Sequence, residues 1–403
     1  MPDALFLSPE APYPLTGGGA LRSASLLQLL ACHYTVDAIV FREPRAADPR
    51  SSLPSSLVRD LHILDLPEHS HGIVARAARN TWRLARRVPP LVDRFAGFSA
   101  QIAAITRDRR YEIAVIEHFW CAPYWDQLAG VSAATVLDLH NIESVLHARC
   151  ARTEGGGEAM LHRAFQHICR DLEKRYFPRF SYLLAASEKD AEQARRISPG
   201  ANVLVYPNLI PMAPLPNRSP EEVIAFSGNL EYHPNLAAVR YFQQSIWPGL
   251  RERWPGLTWR IIGKNAESVR KLTEGDPRIQ VTGAVGDAIA ELARAKVAIV
   301  PILAGSGTRV KIIEAWAAGT PVVSTSLGAE GLPVREGEHL LLADTVTSFQ
   351  DAVSSLLSDP ALRDRIARAG RYLFECEFSW DAAWKYLHFL YPATMERSDA
   401  LRD

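Results

Sequence analysis

The sequence predicts an α/β protein made of two Rossmann-like, doubly wound domains facing each other across a cleft. Two observations carry that expectation. Short, almost wholly apolar runs alternate with helix-length segments along nearly the entire chain, as βαβ units around a parallel sheet buried on both faces require. The alternation is broken once, by a proline-dense stretch, and then restarts.

Strands are expected in the first half at residues 4–8, 35–41, 61–64, 113–117, 135–139, 182–186 and 202–206. The break, residues 207–220, holds five prolines in fourteen positions. Proline removes a backbone donor and restricts its predecessor, so this stretch reads as a linker. Strands resume at 223–227, 258–263, 280–283, 297–301, 321–324 and 339–342, and the aromatic-rich run 379–391 has the period of one amphipathic helix. The expected organisation is a domain over 1–207, a hinge at 208–220, a second domain over 221–378 and a C-terminal helix in 379–403 that packs back on the first domain.

Composition narrows the function classes. The 403 residues are 47% hydrophobic and 22% charged, ordinary for a globular chain. Lys+Arg and Asp+Glu both number 45, so no global field calls for nucleic acid. Five scattered cysteines without a CxxC pair suggest neither a disulfide framework nor a zinc site. The N-terminus lacks a basic leader, and no run approaches the roughly 18 to 20 apolar residues of a membrane span. A cytoplasmic protein is expected.

The segment 297–332, VAIVPILAGSGTRVKIIEAWAAGTPVVSTSLGAEGL, is the most informative. A buried strand runs into a loop with Gly305, Ser306 and Gly307, and a helix is expected from about Thr308 to Ala318, closed by Gly319. Small residues at a helix mouth let an anion reach free backbone N–H groups, where the helix dipole favours it. Arg309 and Lys311 place two cations in that first turn, against the dipole unless an anion is bound there. Glu314, one and a half turns in, suits two ribose hydroxyls. Lys311 and Glu314, at i,i+3, also fit a plain surface ion pair.

Residues 305–332 resemble the donor-binding signature of the group 1 (family 4) glycosyltransferases, which have the GT-B fold. The run Glu314-Ala315-Trp316-Ala317-Ala318-Gly319-Thr320-Pro321-Val322-Val323 matches the family's second-glutamate motif. Ser306 stands where the family's first glutamate would be, so that role does not transfer. In FSGNLEYHPN (226–235), relatives place an arginine after the glycine and a lysine shortly after, for the diphosphate. Here Asn229 follows Gly228 and no lysine precedes Asn235. Arg309 and Lys311 are expected to supply the missing charge.

The resemblance implies donor contacts from Gly17, Gly18 and Gly19 in the loop PYPLTGGGALR, together with Gly228, Asn229, Ser306, Gly307, Thr308 and Glu314. It implies a catalytic histidine at His118, after the strand 113–117, with His140 and Glu330 as secondary candidates. The implied activity is metal-independent transfer, with retention of configuration, from a UDP- or GDP-linked sugar to a glycan, a lipid-linked acceptor or another hydroxyl. The nucleotide sugar is a substrate, and no cofactor is expected. Rival readings are a nucleotide-sugar epimerase, a non-catalytic nucleotide-sugar-binding subunit and a periplasmic-type binding protein. The stretch 72–89, GIVARAARNTWRLARRVP, puts Arg76, Arg79, Arg83, Arg86 and Arg87 at helical spacing on one side, suiting either a solvated face or peripheral contact with anionic lipid.

Overall fold

The computed structural model describes residues 1–15, 17–69, 72–153, 156–216, 220–303 and 310–392. The chain divides into two compact units, Met1–Asn208 with Trp384–Asp403, and Leu209–Ala383.

The first unit is built on seven strands: β1 (Asp3–Ser8), β2 (Thr35–Arg42), β3 (Asp60–Asp65), β4 (Tyr111–Glu117), β5 (Ser132–Leu139), β6 (Tyr182–Ala185) and β7 (Val203–Val205). All pair in parallel, in the order β3-β2-β1-β4-β5-β6-β7. The central strands lie under helices on both faces, which is why residues 4–7 and 113–116 are wholly apolar and buried. Helix α1 (Gly18–His33) follows β1, and α2 (Ile73–Arg86) follows β3.

The second unit repeats the plan with β8 (Glu221–Ser227), β9 (Thr258–Ile262), β10 (Ile279–Gly283), β11 (Ala295–Val300), β12 (Val322–Ser324) and β13 (Leu341–Leu342). Its parallel order is β10-β9-β8-β11-β12-β13. In both sheets the order reverses beside the first strand, between β1 and β4 and between β8 and β11. Open α/β sheets bind ligands at such switch points, outside the carboxyl ends of the strands.

Each expected strand has its counterpart, with ends shifted by a few residues. Three other expectations are corrected. The proline-rich stretch is not a free linker at its start: Leu209 and Ile210 are buried, Ile210 bridges to Ser379, and the Ala213 carbonyl accepts from Arg371. Proline kept it out of regular structure, but its apolar residues still had a core to enter. The single C-terminal helix is instead a short helix Trp380–Trp384 followed by the 3-10 turns Lys385–Leu390, kinked at Leu387. Packing decides this break: Trp384 donates to Ser25 (3.1 Å), Tyr34 donates to the Leu390 carbonyl (2.8 Å), and Tyr391 packs on His33.

The third correction concerns α2. Its arginines do not share one solvent face. Arg83 is turned inward on Asp93 at 2.8 Å with its side chain 11% exposed, and Arg79 is half-buried. Val74 and Trp82 are the residues left outside, 83% and 62% exposed. Asp93 on a neighbouring element draws Arg83 in, while Arg76, Arg86 and Arg87 stay exposed beside Val74 and Trp82.

Candidate active site

Sequence reasoning placed the glycine loop and His118 at the ends of β1 and β4, and the fold makes these two strands neighbours. Helix α1 opens at Gly18 without a side-chain cap. A Cβ on Gly19 would stand 2.9 Å from Glu10 Oε1 and 3.9 Å from His140 Nδ1, so glycine keeps this mouth open. Nothing crowds Gly17.

One turn into α1, Arg22 is fully buried and grips the Asp138 carboxylate at the end of β5, with Nε donating to Oδ2 at 2.6 Å. It also donates to the Tyr206 carbonyl. Ser23 donates to Glu117 Oε2 at 2.8 Å. His140 Nε2 lies 2.8 Å from Glu117 Oε2 and 3.2 Å from Asp138 Oδ2. Burial alone would depress the His140 pKa, but the two carboxylates raise it to about 9. Burial would raise Asp138, yet Arg22 and His140 hold it below the ordinary carboxylate range. Burial, then the neighbouring Asp138 charge, pushes Glu117 up. Two cations thus stand against two carboxylates.

Glu117, Asp138 and His140 lie close enough together to chelate a cation. Their hydrogen-bonding positions are largely taken by Arg22, Ser23 and one another, and the buried Arg22 already supplies the countercharge. The donor set fits a closed ionic cluster better than a metal site.

His118 is stacked between His140, with ring centroids 3.5 Å apart, and Trp120, at 4.1 Å. It is buried, and its Nε2 has no hydrogen-bond partner among the described residues. Burial and the adjacent His140 charge drive its pKa well below the usual histidine value, so the ring is neutral. Its backbone, at φ 60° and ψ 140°, is in a region costly for any residue but glycine. Such strain of about 1–3 kcal/mol persists where the surroundings over-determine it, commonly at functional sites. Trp120 in turn donates to Glu143 at 3.0 Å, and burial lifts the Glu143 pKa to about 7.

In the second unit, β8 ends on Ser227 and Gly228. Gly228 has φ +147°, and a Cβ there would fall 2.3 Å from Lys311 Nζ and 2.9 Å from Asn235 Nδ2. The Lys311 ammonium thus stands against bare backbone, 5.3 Å from the centroid of the Phe226 ring. Gly263, after β9, approaches closer still: its Cβ would lie 1.8 Å from the Gly228 carbonyl oxygen. Lys311 and Glu314 project from the helix Val310–Ala317. Glu314 is half-buried and accepts from Ser227 Oγ at 3.2 Å. Burial raises its pKa, with Lys311 and Ser227 opposing.

Ser306, Gly307, Thr308 and Arg309 lie outside the described residues, as does the start of the expected helix. Asn229 is engaged within its own loop: its Oδ1 accepts from Asn265 at 2.8 Å and from the Glu231 N–H at 3.2 Å, and its carbonyl accepts from Asn235 at 2.7 Å. Its two oxygens thus tie the turn together. Glu330 is half-buried in the turn after β12, which Thr325 ties to the Ile302 carbonyl beyond β11 at 2.6 Å. Arg22, Glu117 and Asp138 were missed because a charged residue inside an apolar pattern carries no sign of its partner. A clue was present: strands 113–117 and 135–139 both run into charged residues, Glu117-His118 and Asp138 with His140.

Comparison with known proteins bears on the family and the fold. Residues 221–359 match the family described as Glycosyl transferases group 1. The group 1 match thus lies within the second unit, and the chain has the GT-B fold. A phosphatidyl-myo-inositol mannosyltransferase of Mycobacterium leprae is 33% identical over 129 residues, covering 30% of this chain and 34% of the mannosyltransferase. The match thus spans only about a third of that relative's length. A glycogen synthase of Mycobacterium tuberculosis is 24% identical over 399 residues, 93% of this chain and 91% of the synthase. Among solved structures, sucrose-phosphate synthase from Thermosynechococcus elongatus superposes with a TM-score of 0.71 at 16% identity, covering 100% of both chains. Anabaena HepE in complex with UDP and glucose gives 0.65 at 14% identity, over 97% of this chain and 99% of HepE.

Proposed function

We propose that the protein transfers a sugar from a nucleotide-diphosphate sugar to a hydroxyl acceptor, a glycan or a lipid-linked saccharide, with retention of configuration and without a metal. The observation that carries this reading is the Lys311 ammonium held against the side-chain-free backbone of Gly228, at the β8/β11 switch point of a group 1 domain. A diphosphate fits where a cation and open backbone coincide. Glu314, next along the same helix, suits the ribose hydroxyls. UDP is the favoured nucleotide because HepE, of like fold, binds it.

In this reading the leaving diphosphate is stabilised by Lys311, joined by Arg309 from the sequence. The departing phosphate oxygen takes the acceptor proton on the face where the new bond forms. The first unit handles the acceptor, and neutral His118 accepts a hydrogen bond from a sugar hydroxyl through Nε2. Protein groups mainly position the reactants and balance charge.

The test is direct titration of UDP- and GDP-sugars into wild type and the Arg309→Gln/Lys311→Gln double variant. A loss of at least tenfold in affinity with an unchanged unfolding temperature is expected, since charged hydrogen bonds to phosphate contribute about 1.5–3 kcal/mol each. Equal affinity in the two proteins would overturn the reading. Turnover should be unaffected by EDTA.

No helix among the described residues is long and apolar enough to cross a membrane. The exposed Val74 and Trp82, flanked by Arg76 and Arg86, support peripheral contact of α2 with anionic lipid at the inner face of the membrane. Salt-sensitive binding to anionic vesicles, reduced in Trp82→Ala, is the expected result. Equal binding to neutral vesicles counts against it.

A further inference from the structure

The carboxyl ends of β1, β4 and β5 carry the ionic cluster of Arg22, Glu117, Asp138 and His140. The ends of β2 and β3, next along the same sheet, carry something different. The loops that follow them and the inner side of α2 enclose a cavity of about 560 Å³. Its wall has five arginines, Arg45, Arg76, Arg79, Arg83 and Arg94, against two glutamates, Glu43 and Glu68.

Most of these guanidinium groups have partners. Arg94 is held by both Glu43 oxygens and donates to the Pro67 carbonyl at 2.7 Å. Arg83 is held by Asp93 at 2.8 Å, Arg45 by Glu68 at 2.6 Å and Arg76 by Glu158 at 2.9 Å. Arg79 differs. It is half-buried in the cavity wall, with no hydrogen bond and no carboxylate partner among the described residues. The field there is positive: burial and then the charges of Arg94, Arg79 and Arg83 lower the pKa of His69, which also lines the cavity.

A half-buried cation without a counter-ion is costly to desolvate, and ligands of open parallel sheets bind outside the carboxyl ends of the strands. We propose that this cavity binds a phosphate-type anion, with Arg79 as its principal ligand and the carboxylate-anchored Arg83 and Arg94 beside it. Guanidinium forks meet phosphate oxygens in pairs; with Asp93 and Glu158 counted beside the two glutamates of the wall, the charge left uncompensated is that of Arg79. The phosphate arrives either on a soluble sugar or polyol or as the head group of a lipid. Assigning it to the sugar acceptor rests on the transferase reading; the binding itself does not.

Two probes separate the sources: titration of the full-length protein with glycerol 3-phosphate, and co-sedimentation with phosphatidylcholine vesicles containing phosphatidic acid. Wild type should bind at least one of them saturably. Arg79→Gln should weaken that binding about tenfold or more while unfolding near the wild-type temperature, since no hydrogen bond or ion pair among the described residues is lost. Arg79→Lys, which keeps the charge without the fork, should fall between. Lys311→Gln should leave the binding intact, because it belongs to the other unit. The proposal fails if neither probe binds, if Arg79→Gln binds as tightly as wild type, or if Lys311→Gln alone removes the binding. Should Arg309→Gln/Lys311→Gln keep nucleotide-sugar affinity while Arg79→Gln loses the phosphate probe, the donor reading falls and the cavity stands.

Discussion

The imidazole rings of His118 and His140 lie face to face, with centroids 3.5 Å apart and planes 25° from parallel. They are in opposite charge states. His140 is bracketed by Glu117 and Asp138 and keeps its proton, whereas His118, buried against that cation, cannot take one. The buried charges on α1, β4 and β5 thus hold His118 as a neutral hydrogen-bonding group on a strained backbone.

If His118 contacts the sugar, its removal should act on transfer more than on nucleotide binding. His118→Ala is expected to lower kcat/KM by about ten- to a hundredfold, the worth of one or two hydrogen bonds made in the transition state. The dissociation constant for the nucleotide diphosphate alone should stay within about threefold. Steady-state kinetics beside titration with the free nucleotide separate the two effects.

Stability should fall between neutral and mildly alkaline pH. His140 has a folded-state pKa of about 9 against an ordinary 6.5, so across that window the folded chain holds a proton the unfolded chain releases. The contribution is complete below about pH 6.5 and lost as pH rises through 9, and a shift of this size corresponds to about 3 kcal/mol. The raised Glu143, at about 7, acts with the same sign at lower pH. Denaturant midpoints measured from pH 7.5 to 9.5, above the titration of Glu143, should decline in wild type and stay more nearly level in His140→Gln, which starts less stable.

Arg22 should matter to the fold before it matters to chemistry. Arg22→Met leaves Asp138 and Glu117 buried with only His140 to offset them. Breaking a buried pair from one side costs about 3–5 kcal/mol. Chemical denaturation of the variant checks this, and a loss under 1 kcal/mol would contradict the charge balance described for the cluster.

Gly228 and Gly263 should respond differently to alanine. At Gly228 the new methyl meets the end of the flexible Lys311 side chain and the Asn235 amide. Gly228→Ala should therefore fold, less stably by about 1–3 kcal/mol for its positive φ, and lose donor affinity because Lys311 is displaced. At Gly263 the methyl meets the backbone carbonyl of Gly228 at 1.8 Å, which cannot move without parting β8 from β9. Gly263→Ala should fail to fold its unit. Thermal unfolding and nucleotide titration of both variants distinguish these outcomes.

Both sheets could be read in the sequence because strands buried on two faces need unbroken apolar runs, and such runs are visible residue by residue. The glycine loop and Gly228 were legible for a similar reason, each sitting next to a strand end, and Lys311 and Glu314 because they fall at helical spacing on one short helix. Contacts between distant residues were not legible. Arg22 and Asp138 are 116 positions apart, and only the pairing of β1 with β4 and β4 with β5 brings them together. The sequence also showed α2 as a basic amphipathic helix, but its period cannot say which side finds carboxylates. Asp93 did, turning Arg83 toward the protein, while Arg76 stays outside with Val74 and Trp82. The chain by itself determined the strands, the helices and their order, since these depend on short-range periodicity and turn chemistry. Tertiary structure alone decided which buried charges meet, which histidine keeps its proton and that Arg79, among the described residues, lines its cavity without a carboxylate partner, because electrostatic energy depends on distance in space.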